Sequence, residues 1–471
     1  MRNAVLEGQL RSGARVPSTR ELAAESGVSR NTVLEAYAQL LSEGYLEARR
    51  GSATRVSSAL PEGIRPATRS ISSRPPASSL LSPRGRQIVC AHTSVSDDQL
   101  RPFTPGIPAL DPALFRTWWR IVRHRHRRVT ATTLNYGSAA GYLPLREAIA
   151  AHIGPVRGVR CTADQVIVTT GSQPALALAA RLLLQPGDEA WMEDPGYAGA
   201  RGALLAAGAE VVPVPIDDDG LIVDDGTQRA PRARLAYVSP SHQYPLGVTL
   251  SLPRRLQLLE WAARSRVWIL EDDYDAEFRH AGRPVPSLQG LDKAGRVLYV
   301  GTFSKVLYPA LRLGFIVVPD DLVDAFCRGM AVSGYRAPTV EQAVLADFIA
   351  DGHYSRHLRR LRGRYREARS VLETEARRLV GSALTISGSA VGMHVVGRLP
   401  NGTDDHLASR RAGAIGLCTP AVSAYAIERP KITGLVLGYG HLSNQAIRQG
   451  VEKLARALSG RRLQAAPSGR R

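Results

Sequence analysis

The chain is poor in lysine. Of its 61 basic residues only four are lysines, namely Lys293, Lys305, Lys431 and Lys453, and the rest are arginines. A sequence that has moved its positive charge to guanidinium keeps an amine where guanidinium cannot serve, and an amine with an accessible neutral form is one such case. Cysteine is scarce too. Cys90, Cys161, Cys327 and Cys418 are scattered without a C-x-x-C pair, which argues against a disulfide framework and a zinc site and reads as reduced core thiols. No apolar run is long enough to cross a bilayer, and Met1-Arg2-Asn3-Ala4 lacks the basic-then-apolar layout of a secretory leader. No membrane partner and no metal are expected, and the expected compartment is the cytoplasm.

What is present is length and positive charge. At 471 residues the chain exceeds a single compact core, so two or three domains are expected. A net charge of +19 favours polyanions or anionic small molecules as partners, but charge alone gives only non-specific attraction. A nucleic-acid reading therefore needs a motif.

Residues 17–37 supply one. They read as two short helices joined by a turn containing Gly27, with Ser18 capping the first in a capping box with Glu21, and Ser29 capping the second. Leu22, Val28, Val33, Tyr37, Leu40 and Leu41 are spaced to face one small core. That spacing leaves Arg30, Asn31 and Thr32 at the exposed N-terminal end of the second helix, where a recognition helix meets base edges and phosphates. Residues 44–47 and 54–56 read as two strands around Ala48-Arg49-Arg50-Gly51-Ser52-Ala53, a basic tip suited to lie along a phosphate backbone.

The stretches P-S-T-R-E-L-A, G-V-S-R-N-T-V, A-Y-A-Q-L and E-G-Y-L-E, followed by this wing, resemble the GntR family of winged-helix repressors over nearly the whole segment. The resemblance implies double-stranded operator DNA as a partner, with Ser18, Arg20, Ser29, Arg30, Asn31, Thr32, Arg49 and Arg50 as the contact set. In that family the first helix begins well before the position of Leu6-Glu7-Gly8-Gln9-Leu10, so this chain is expected to start inside it. Ala53 also stands where the wing usually has Gly.

The winged-helix segment is assigned to residues 1–57. Residues 58–86 are rich in Ser, Pro and Arg without a sustained period, the composition of a tether that is extended where Pro is dense and flexible elsewhere. Residues 87–458 alternate strand-like and helical runs, the pattern of a large α/β domain, and residues 459–471 read as a disordered basic tail. Strands are expected at 165–170, 234–238, 267–271 and 297–300. After the first of them, Gly171-Ser172-Gln173 opens a helix whose free N–H groups make a ready phosphate site, with Ser172 and Gln173 as side-chain donors.

Two strand ends carry the chemistry. Glu271-Asp272-Asp273-Tyr274 closes one, and Gly301-Thr302-Phe303-Ser304-Lys305 closes another, so an acid, a phenol and an amine converge at one rim of the sheet. Taken singly, Asp272 and Asp273 suit a turn or helix cap equally well. Together with the Ser-Lys pair they suit pyridoxal 5′-phosphate: a lysine to bond its aldehyde, a carboxylate to keep its pyridine nitrogen protonated, and a tyrosine hydroxyl for its phenolic oxygen.

Residues 100–458 resemble the fold-type I aminotransferases, and the whole chain resembles the MocR subfamily of GntR regulators, in which a winged helix is fused to an aminotransferase-like domain. The resemblance rests on Phe103-Thr104-Pro105-Gly106-Ile107-Pro108, Tyr136-Gly137, Glu193-Asp194-Pro195-Gly196-Tyr197 and Ser239-Pro240-Ser241-His242-Gln243-Tyr244-Pro245-Leu246-Gly247, with the Glu271 and Lys305 stretches. It implies that Lys305 holds the cofactor, Asp272 faces the pyridine nitrogen and Tyr274 the phenolic oxygen. Ser172, Gln173, Thr302 and Arg312 would bind phosphate, and Tyr197 would lie against the ring. His242 or Gln243 would sit near the ring oxygen, where aminotransferases have Asn. Tyr136 would reach the phosphate of a partner subunit, which implies a homodimer. Where aminotransferases place an arginine for the substrate carboxylate, the nearest match, Gly434-Leu435-Val436-Leu437-Gly438-Tyr439, has Val436, with Arg429 or Lys431 as substitutes in an open register. The expectation is a regulator whose cofactor pocket senses pyridoxal phosphate or an adduct of it with a small amine or amino acid. The alternatives are a working aminotransferase with a vestigial DNA-binding module, and a DNA binder whose large domain only dimerises.

Overall fold

The computed structural model describes residues 1–6, 9–48, 53–58, 81–91, 100–130, 134–279, 285–388, 391–428 and 432–459. Arg49, Arg50, Arg429, Lys431, most of the expected tether and nearly all of the expected tail lie outside these. The chain divides into two compact units, Met1–Leu80 and Leu81–Arg471.

The first unit carries α1 (Arg2–Leu6), α2 (Thr19–Ser26), α3 (Arg30–Ser42) and a ribbon of β1 (Leu46–Glu47) and β2 (Arg55–Val56). The helix starts follow local chemistry. Ser18 and Glu21 form the expected capping box, and Ser29 accepts from the Thr32 N–H. The two strands pair antiparallel, Leu46 opposite Val56. Val16, Val33, Tyr37, Leu40, Leu46 and Val56 form the core, and the Tyr37 hydroxyl donates to the Pro17 carbonyl at 2.8 Å. Val28 and Leu41 depart from expectation, being 45% and 36% exposed. A core of six buried side chains has room for one stripe per helix, and Leu41, next to Leu40, falls beside that stripe.

The second unit is built on an eight-stranded sheet. Its strands are β3 (Val166–Thr169), β4 (Glu189–Asp194), β5 (Glu210–Asp217), β6 (Gly220–Leu221), β7 (Leu235–Val238), β8 (Trp268–Asp273), β9 (Val297–Thr302) and β10 (Gly314–Val317), in the spatial order β3-β10-β9-β8-β7-β4-β5-β6. The run β9-β8-β7-β4-β5 is parallel, whereas β10 runs antiparallel to both of its neighbours. Helices cover both faces, so the central strands are apolar on both. On β9, Tyr299 enters one hydrophobic cluster while Leu298 and Val300 enter the other. A smaller antiparallel sheet of β11 (Thr385–Ser387), β12 (His394–Arg398) and β13 (Gly434–Gly438) lies after the long helix His353–Leu379.

Two expectations need correction. The tether does not extend to residue 86, because Pro83–Ala91 forms a helix, α4, which packs against the helix Ala198–Ala207. The cysteines are free, but only Cys418 is buried, and Cys90 is exposed. Among the described residues no helix is long and apolar enough to cross a membrane.

Candidate functional site

β8 runs two residues beyond its expected end, and this decides what its acids do. Successive strand side chains point to opposite faces, so Asp272 and Asp273 part company. Asp273 turns to Arg157, whose Nε lies 2.7 Å from Asp273 Oδ2 in a buried ion pair, and the Tyr299 hydroxyl donates to the same oxygen at 2.8 Å. Asp272 turns to the opposite face, where Tyr237 Oη donates to its Oδ2 at 2.9 Å. Its other oxygen, Oδ1, is buried and has no hydrogen-bond partner among the described residues. Burial pushes the Asp272 carboxyl up to about 7, against the pull of Tyr237 and Lys305.

Lys305 follows β9 in a short turn. Its half-buried amine donates to the Gly106 carbonyl at 2.9 Å, and burial lowers its pKa against the attraction of Asp275 and Asp272. Gly106 has φ +77, and a Cβ there would come within 2.8 Å of Lys305 Nζ, so the backbone approaches the amine as only glycine allows.

The strand-to-helix junction after β3 is open to an anion. Gly171, at φ +104, precedes the helix Ser172–Leu183, and no side chain among the described residues caps that helix. Its first N–H groups have no intrahelical acceptors. The Arg312 guanidinium lies beside Gly171, 3.8 Å from where a Cβ would stand, and Arg312 adopts φ +50, a left-handed conformation that non-glycine residues take at some energetic cost. Thr302 Oγ1 accepts from the Ser304 N–H at 3.2 Å. Gln173 departs from expectation. Its side-chain amide donates to the Gly199 carbonyl at 2.7 Å and its Oε1 lies 3.4 Å from the Tyr197 hydroxyl, so it orients the tyrosine and is not a free phosphate donor.

Tyr274 donates its hydroxyl to the His242 carbonyl at 2.8 Å. The His242 ring is 2% exposed and packed with Asp275 and His394, and Gln243 is tied to Glu193 and the Pro195 carbonyl. Two rings of this loop lie beside Tyr274, His242 at 6.0 Å and Tyr244 at 6.2 Å edge-on, and the Tyr244 hydroxyl bonds Tyr425. Tyr237, Arg157, Asp275, Tyr244 and His394 join the site without a role legible in the sequence. Tyr244 lies inside a recognised stretch and Asp275 directly follows one, but Tyr237 and His394 carry no signal of their own. Val436 is fully buried, in an apolar cluster with Leu246, Val396, Val422 and Tyr425. Tyr136 is 86% exposed on the single chain.

The first unit places Ser18, Arg20, Ser29, Arg30, Asn31 and Thr32 on its exposed surface. The Thr32 hydroxyl is 2.9 Å from that of Ser29, so it belongs to the helix cap as well.

The family pattern for class I and II aminotransferases matches residues 117–430, and that for bacterial regulatory proteins of the gntR family matches residues 1–56. The "Probable rhizopine catabolism regulatory protein MocR" of Rhizobium meliloti is 41% identical over 97% of this chain and 92% of its own length. The chain belongs to the MocR-type regulators. A second relative of this MocR-type chain, the "HTH-type transcriptional regulator TauR" of Rhodobacter capsulatus, is 37% identical over 96% of this chain and 94% of its own. Among solved structures, LysN, the α-aminoadipate aminotransferase of Thermus thermophilus complexed with N-(5′-phosphopyridoxyl)-L-leucine, aligns with TM-score 0.73 and 27% identity over 82% of this chain and 98% of that one. Its class I/II aminotransferase fold and its gntR-type DNA-binding module make this MocR-type chain a regulator of transcription with an aminotransferase-like domain.

Proposed function

We propose that the large domain holds pyridoxal 5′-phosphate at Lys305 and that this domain is the sensor of a homodimeric, cytoplasmic DNA-binding regulator. The observation that carries the reading is Asp272: a carboxylate buried at 4% exposure, with one oxygen held by Tyr237 and the other unpartnered among the described residues, fits a group that brings its own N–H. The residues present fit the rest of the molecule. Lys305 offers a partly desolvated amine, the uncapped helix start at Ser172 and the Arg312 guanidinium offer a phosphate seat with Thr302 beside them, and Tyr197 and Tyr274 flank the place between. When bound, pyridoxal phosphate supplies an aldehyde that captures amines and a ring that accepts electrons.

The chain's own residues then bind and orient. Asp272 accepts a hydrogen bond and its negative charge favours a protonated ring nitrogen, Tyr274 turns its hydroxyl oxygen to the cofactor while its proton goes to the His242 carbonyl, and Gln173 steadies Tyr197. Val436, at the nearest match to the aminotransferases' carboxylate-binding arginine, supports sensing over efficient turnover, with Arg429 and Lys431, outside the described residues, as the alternatives for that clamp. A ligand alters DNA affinity when it binds two states of the dimer unequally.

The test is uptake of pyridoxal phosphate by the full chain, followed by absorbance and by borohydride reduction with peptide mass spectrometry. Modification of Lys305 supports the reading. No bound chromophore, or label spread over the other lysines, contradicts it. Sustained turnover of an amino acid with a keto acid, without sequence-selective DNA binding, would establish the working aminotransferase instead.

A further inference from the structure

Behind Tyr274 lies a cluster of buried titratable side chains. His242 from the loop after β7, Asp275 from just beyond β8 and His394 from the start of β12 are each 2% exposed, and their donor atoms lie within 4.8 Å of one another. His242 Nδ1 is 2.8 Å from Asp275 Oδ2 and 3.2 Å from Tyr274 Oη. The Tyr274 hydroxyl is committed to the His242 carbonyl, so the proton between His242 and Asp275 also faces the phenol oxygen. His394 Nε2 lies 3.2 Å from the Pro245 carbonyl, which places its N–H there and leaves a lone pair on Nδ1. The loop before β12 is moulded to the cluster: a Cβ on Gly392, at φ +83, would come within 2.4 Å of His242 Nδ1 and 2.5 Å of Asp275 Oδ2.

Resting on the reading that Tyr274 faces the phenolic oxygen of pyridoxal phosphate, we propose that His242, Asp275 and His394 are positioning residues that share a proton and hold the Tyr274 hydroxyl. Their protonation thereby sets the ionisation of the bound cofactor. Burial holds both imidazoles down to about 3 and lifts the Asp275 carboxyl to about 8, so the cluster changes charge at the carboxylate close to neutral pH. The other groups facing it are Lys305, Asp273 and the Met393 N–H around Asp275, Arg369 and Arg279 around His242, and Asp272, Tyr244 and Glu193 around Tyr274. Loss of the proton puts negative charge beside Tyr274, which disfavours a second negative charge on the cofactor's oxygen.

The test is a pH titration, from about pH 6 to about pH 9, of the absorbance of full-length protein loaded with pyridoxal phosphate. Wild type is compared with Asp275→Asn and His394→Gln, with cofactor affinity and metal content measured on the same samples. Asp275→Asn is expected to bind cofactor and to lower the midpoint of the spectral change by about one pH unit, and His394→Gln to move it measurably. If one variant does not fold, the other decides. An unchanged midpoint in a variant that binds cofactor, even weakly, overturns the proposal. So does one equivalent of transition metal in the wild type that the variants lose. A wild type that takes up no pyridoxal phosphate overturns the cofactor reading itself and this inference with it.

Discussion

Tyr237 and Asp272 share one hydrogen bond, 2.9 Å long and fully buried, that fixes the carboxylate on its strand and leaves Oδ1 without a hydrogen-bond partner among the described residues. Replacing Asp272 with Asn keeps the size and the Tyr237 contact but removes the negative charge. Asp272→Asn is expected to weaken pyridoxal phosphate binding by about 10- to 100-fold, the range for losing a charge-assisted hydrogen bond. Spectroscopic titration of the two proteins checks it.

Arg157 and Asp273 are 3% and 2% exposed at their side chains, and Arg157 Nη2 also donates to Ser241 at 2.6 Å. Arg157→Met strands a buried carboxylate and is expected to cost about 3–5 kcal/mol, whereas Arg157→Met with Asp273→Leu recovers much of that loss. Urea unfolding of the large domain measures both.

Glu271 is fully buried, accepts from the Leu288 and Gln289 N–H groups, and is pushed by burial to about 7 from its ordinary 4.5. The folded chain therefore keeps a proton that the unfolded chain has lost, and the associated stability is full below pH 4.5 and falls as pH rises through about 7. Glu193 and Asp275 act in the same direction, whereas His242 and His394, held at about 3, act oppositely up to about 6.5. Thermal stability of cofactor-free protein should accordingly fall from pH 6.5 to pH 8. Glu271→Gln should flatten that fall.

Arg30 is exposed at the start of α3 and packs into no core. Arg30→Ala is expected to lower affinity for selected operator DNA by about 5- to 100-fold while leaving the unfolding temperature unchanged. Ser29→Ala, which removes the cap, should cost about 1 kcal/mol of stability. Fluorescence anisotropy and calorimetry separate the two effects.

The features legible in the sequence were the local ones. The capping box at Ser18, the strand-to-helix junction at Gly171 and the turn after β9 depend on neighbours a few residues away, and the structure has all three. Strand ends were harder. Asp272 and Asp273 read as a rim because two acids rarely end a buried strand, and what lets them do so, Tyr237 and Arg157, lies far off in the chain. Pro83 reads as tether by composition although proline suits the first turn of a helix, and the surface α4 packs on belongs to residues 198–207. His394 meets Asp275 across more than a hundred residues of chain, where the Gly392 N–H donates to the Phe278 carbonyl, and no local pattern reveals it.

If the large domain is the sensor, occupancy of the Lys305 pocket changes DNA binding. The most direct test is the affinity of the full chain for DNA selected from a random library, measured with and without saturating pyridoxal phosphate, for wild type and for Lys305→Ala. The affinity is expected to shift with the cofactor in the wild type and to stay fixed in Lys305→Ala. Equal affinity in the wild type with and without bound cofactor would contradict it.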